Sequence, residues 1–85
     1  GPRVSEAFRD KYGPVFESER KAIASMFTDS VMQGGKPLLD PDTKRPVNWF
    51  QYISEHGDKL KPEIKKAIEN RYGEGILRYF PNVSR

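Results

Sequence analysis

Along the chain, blocks in which apolar residues recur every third or fourth position alternate with short stretches rich in glycine and proline, a pattern that predicts helices joined by turns. Ser5 reads as the cap of a short first helix in which Val4, Phe8 and Tyr12 recur, closed by Gly13-Pro14. The clearest block runs from Pro14 to about Gln33. There Phe16, Ile23, Phe27 and Val31 fall on one stripe flanked by Ala22 and Met26, Glu17 and Lys21 pair on the far side, and Gly34-Gly35 stops the helix.

Residues 36–47, KPLLDPDTKRPV, hold three prolines and cannot continue a helix, because proline lacks the amide hydrogen and clashes with the preceding turn. Asp40-Pro41-Asp42-Thr43 reads as a turn, so residues 37–47 form either a minimal hairpin or extended backbone without pairing. Leu38 and Leu39 are expected to cover a core edge or a partner, with Asp42 to Arg45 exposed. Asn48 then caps a helix from Trp49 to His56, with Gln51 placed for a capping-box exchange and Val47 placed to staple Tyr52. Gly57 ends that helix, and Pro62 opens another whose buried stripe is Ile64, Ala67, Ile68 and Tyr72, with Lys65, Lys66, Glu69 and Asn70 outward. Gly73 either caps this helix or bends it on toward Phe80; Pro81 ends regular structure. The expected fold is all-α, a compact bundle of four or five short helices with one long proline-containing loop. The stripe from Phe16 to Val31 should pack on the aromatic face around Trp49 and on Ile64, Ile68 and Tyr72.

Eighty-five residues suffice for one domain, and the ten aromatics among them argue for a folded core although charged residues make up 32%. Gly1-Pro2 matches the scar of a removed tag, so residues 3–85 are expected to be a single helical domain cut from a longer protein. There is no cysteine, hence no disulfide framework and no thiolate chemistry, and packing alone must hold the helices. The absence of cysteine and of a secretory signal leads us to expect an intracellular protein, and no apolar run has the length of a membrane span.

Catalysis needs a nucleophile with its base, a metal cluster, or carboxylates with separated pKa values. The chain offers one histidine, His56, at a helix end where terminal carbonyls and the helix dipole suit it structurally. Asp40-Pro41-Asp42 does not continue as a calcium loop, since Arg45 stands where glycine is needed and Gln51 where glutamate is. Gly73-Glu74-Gly75 follows a helix, not a strand, and is too short to cradle a phosphate. We therefore expect no enzyme, cofactor, metal or small-molecule substrate.

The net charge of +3 is concentrated late: residues 59–85 carry seven basic and three acidic side chains. Over residues 49–72 a helix, a glycine-containing turn and a second helix resemble a helix-turn-helix in pattern. These features point to a non-catalytic module that binds nucleic acid, DNA in particular, through Lys59, Lys61, Lys65, Lys66, Asn70, Arg71 and Arg78. Lysine and arginine would neutralise phosphates there, and an asparagine can read adenine. Arg71-Tyr72 and Arg78-Tyr79 also suit stacking on unpaired bases, although both tyrosines match the core stripe. The alternative is a protein-interaction or assembly domain using the proline-rich loop 36–47 and exposed aromatics.

Overall fold

The computed structural model describes Glu6, Asp10 and residues 17–84; the first helix expected around Phe8 lies outside the described residues. Among these, three α-helices, two short 3-10 helices and a two-stranded antiparallel sheet replace the expected all-α bundle of four or five helices. No described helix is long and apolar enough to cross a membrane.

Helix α1 spans Glu17–Met26, ending seven residues before the predicted stop. Its last turn tightens: the amides of Phe27 and Thr28 donate to carbonyls three residues back, at 3.2 and 3.0 Å. The hydroxyls of Ser25 and Thr28 donate to Lys21 O and Ser25 O, side-chain bonds that compete with continued helix. Ile23 and Met26 face the core. Val31 is buried too, but as an extended residue and not as the end of a helical stripe.

After α1 the chain builds an arm. Strands β1 (Met32–Gln33) and β2 (Lys36–Pro37) pair antiparallel across Gly34-Gly35, whose φ values of 58° and 76° are those a two-residue type I′ hairpin turn demands. The dipeptide that reads as a helix stop is therefore a hairpin turn. A second, minimal hairpin follows within 37–47: Leu39 bridges Pro46, and the Asp40 amide donates to Arg45 O at 2.8 Å. Three backbone bonds of 2.8 Å close a ring among the extended segments, Val31 N to Val47 O, Val47 N to Leu38 O, and Leu38 N to Val31 O.

Asn48, bridged to Ser30, caps helix α2 (Trp49–His56), its Oδ1 accepting from Gln51 N at 2.8 Å. The expected reciprocal bond is not made, because the Gln51 side chain turns to Asp40 Oδ2 and Glu55 Oε1 instead. A 3-10 turn over Gly57–Lys59 leads to helix α3 (Pro62–Tyr72), with proline in its first turn. Gly73, at φ 125°, ends α3 and donates to Glu69 O, so the chain does not run on as a bent helix; a 3-10 turn, Ile76–Tyr79, follows.

The core differs from the one expected. Its fully enclosed side chains are Phe80, Met26, Ile53, Ile68 and Ile76, and Val83 joins them, so the segment after Gly73 is as deeply buried as the helices. Trp49 and Ile64 are only partly buried and Ala67 is exposed. Phe27 stacks on Phe50 with ring centroids 4.2 Å apart, tying the end of α1 to α2.

Candidate functional site

The seven residues expected to contact nucleic acid divide into two sets. Lys65, Lys66 and Asn70 project from α3 into one shallow groove, together with Pro62, Glu69 and Glu74. Lys59 ends the 3-10 turn and Lys61 immediately precedes Pro62; both are exposed and neither lines the groove. Two lysines and two glutamates share the groove, and Lys65 is half-buried, donating from Nζ to Ser84 O at 2.6 Å. Its ammonium thus turns toward Ser84, beside Leu77 and Val83, and not toward Lys66 and Asn70.

Arg71 and Arg78 lie elsewhere. Arg71 reaches Asp29 Oδ2 at 3.2 Å, back across to the end of α1, and lies 5.3 Å from the Tyr72 ring centroid. Asp29 also accepts from the Tyr72 hydroxyl at 2.8 Å. Burial, and after it that hydrogen bond, pushes the Tyr72 hydroxyl well above its ordinary pKa. Arg78 pairs with Glu19 of α1 and lies over the Tyr79 ring at 5.4 Å. Tyr72 and Tyr79 are buried in the core, which removes them as stacking platforms for bases.

His56 ends α2 beside Glu55, with Nε2 3.8 Å from Oε2, and packs on Tyr52. Among the described residues no three histidine, aspartate or glutamate side chains converge to hold a metal ion.

A second surface emerges on the arm. Side chains alternate sides along an extended strand, and burial follows that alternation on both apolar faces. Inward lie Val31 and Val47, 3% and 5% exposed, with Leu38 half-buried between them. Outward lie Met32 and Leu39, 51% and 50% exposed, together with Pro37, the cross-strand partner of Met32, and Pro46, bridged to Leu39.

This outer quartet sits on a stiff frame. Three of its backbone neighbours form the hydrogen-bonded ring described above, two of its members are prolines with fixed φ, and Asp40 locks the distal turn. Asp40 Oδ1 accepts from the amides of Thr43 and Asp42 at 3.0 and 2.8 Å, and these two bonds hold its carboxyl below its ordinary pKa. Lys36, Lys44 and Arg45 are exposed and make no ion pair with a described residue; Lys36 and Arg45, one residue from Pro37 and Pro46, alternate to the side opposite the quartet.

Sequence reasoning singles out Leu39 but misses Met32, which falls within the helix predicted to run to about Gln33 and off its apolar stripe. The signal that would have found it is Gly34-Gly35 between two apolar pairs, a short-range hairpin mark. No protein-family model, curated protein or solved structure matches the chain.

Proposed function

We propose that this domain is a non-catalytic protein-interaction module that docks a partner through the outer face of its hairpin arm. The observation that carries the reading is the exposure of Met32 and Leu39, the large hydrophobic side chains left in solvent among the described residues, one in each of the arm's two hairpins and both on the outer side of the alternation. Large apolar side chains gathered on one face favour burial against another molecule, whereas a solvent-facing strand side ordinarily carries polar residues. The test is selection of random peptides displayed on phage against the 85-residue chain, followed by rebinding to a Met32→Ser/Leu39→Ser double variant. Selected peptides that lose binding to the variant, while its thermal melt matches wild type, support the reading. Peptides that bind both forms equally, or none selected, overturn it.

Nucleic-acid binding is a second proposal, favoured by the convergence of Lys65, Lys66 and Asn70 in one groove, with Lys59 and Lys61 exposed just before Pro62. It is weakened by Glu69 and Glu74 in the same groove, by the bond that takes the Lys65 ammonium to Ser84 O, and by the carboxylates that occupy Arg71 and Arg78. If it holds, anisotropy of a labelled duplex shows saturable binding whose logarithm falls with log salt by about one unit per phosphate contact, and Lys65→Glu/Lys66→Glu abolishes it. No saturable binding at low salt would remove it.

A further inference from the structure

We infer that Met32 is a site of reversible oxidation by peroxides, and that its sulfoxide makes the outer face of the arm polar. As a modification site it stands on the unequal exposure of two sulfur atoms; as a control on docking it rests on the reading above.

The chain has no cysteine, so the thioethers of its two methionines, Met26 and Met32, are its only sulfur atoms. The fold treats them in opposite ways. Met26 lies in the core and is 0% exposed, whereas Met32 stands outward on β1 and is 51% exposed. A peroxide must meet the sulfur lone pair directly, so in the folded chain it reaches Met32 and is kept from Met26. In the reaction the sulfur attacks one peroxide oxygen, the O–O bond breaks as the S–O bond forms, and the departing oxygen leaves as water. The sulfur gives up an electron pair and the peroxide takes it. A dithiol acting through methionine sulfoxide reductases reverses the change: the sulfoxide oxygen leaves as water and the dithiol becomes a disulfide.

The surroundings of Met32 decide what the added oxygen does. Met32 is registered against Pro37, and Leu39 and Pro46 complete the quartet. Proline has no amide hydrogen and the leucine side chain has no donor, so no side chain of the quartet can bond the sulfoxide oxygen, which stays turned to water. The fold loses no packing, because Met32 is outside the core that encloses Met26. Oxidation therefore changes the polarity of the outer face and leaves the backbone ring behind it intact.

The experiment treats the full chain with dilute hydrogen peroxide and locates each added oxygen, about 16 Da, by mass spectrometry. Chymotryptic cleavage after Phe27 puts the two methionines on separate peptides. Met32 should oxidise at least tenfold faster than Met26, and the two rates should converge in urea concentrated enough to unfold the chain. The oxidised chain should keep its thermal melt and leave a hydrophobic-interaction column earlier than the untreated chain. Its retention should return after reductases for both sulfoxide epimers act with dithiothreitol, and the retention of Met32→Leu should not respond to peroxide. Peptides from the phage selection should bind the oxidised chain at least fivefold more weakly, and recover on reduction.

Equal rates at the two sulfurs in native buffer, or slower oxidation at Met32, would show a shielded thioether and overturn the inference. So would a lowered melt, which would place Met32 in the packing of the fold, or a retention unchanged by complete oxidation. Selected peptides that bind the sulfoxide as well as the thioether overturn the control on docking while docking itself stands. If no peptide is selected, the docking reading fails, and the oxidation rates and column retention still decide the modification site.

Discussion

A methyl group added to Gly57 would lie 2.8 Å from Asn82 Cγ and 3.1 Å from Val83 Cγ2. Gly57 has an ordinary right-handed φ of −56°, so its role is space and not backbone freedom. Asn82 uses that space to donate to Ile53 O at 2.8 Å, closing the exposed carbonyl end of α2 with a side chain from the last segment. Gly57→Ala should therefore cost about 1–3 kcal/mol through overpacking, read from urea midpoints, and the cost should shrink in an Asn82→Ala background. Equal costs in both backgrounds would show that Asn82 is not the obstacle. Tyr72 carries a second residue-scale consequence. Its folded pKa is raised above the ordinary 10.0, so the neutral hydroxyl is favoured in the fold. Its contribution is complete below about pH 10 and is lost as pH climbs beyond that value. Tyr72→Phe should flatten this alkaline loss of stability, measured by thermal melts between pH 8 and 11, and an unchanged alkaline slope would assign the loss to other groups.

The arm is the element whose backbone path the apolar spacing determines least. The spacing of Ile23, Phe27 and Val31 satisfies a helix as well as it satisfies a turn followed by a strand, because burial at every fourth residue does not record the backbone path between them. The competing hydroxyl bonds of Ser25 and Thr28, and a two-residue glycine turn with positive φ, decide in favour of the hairpin. At Gly34 nothing stands within 4 Å of an added Cβ, so only the left-handed backbone resists substitution. Gly34→Ala should destabilise the arm by about 1 kcal/mol, and Gly34→Asn by less, since asparagine tolerates that conformation. Hydrogen exchange at the Val31, Leu38 and Val47 amides measures both, and equal protection in the two variants would argue against the left-handed turn. By contrast α2 and α3 are legible because each has local start signals, Asn48 with its capping side-chain oxygen and Pro62 in a first turn, that do not depend on the rest of the fold.

In the whole molecule the last segment is the keystone. Phe80 is fully enclosed and meets Phe50 at 5.6 Å between centroids, whereas Trp49, the anchor expected from sequence, keeps part of its surface in water. Phe80→Ala should cost about 3–5 kcal/mol, which is a large share of the stability of so small a domain. Trp49→Ala should cost less, and a reversed order of urea midpoints would return the tryptophan to the centre of the core.

Local patterns in the chain were enough to determine the helix capped by Asn48, the helix that Pro62 opens, the break at the prolines, and the outward Lys66 on α3, because caps, proline geometry and charge are properties of adjacent residues. Tertiary packing alone decided the rest: where α1 stops, that residues 76–83 enter the core, that Arg71 and Arg78 meet Asp29 and Glu19, and that Met32 and Leu39 share an outer face. Those outcomes join residues far apart in sequence, and neither periodicity nor net charge says which distant side chain will fill a given space or neutralise a given cation.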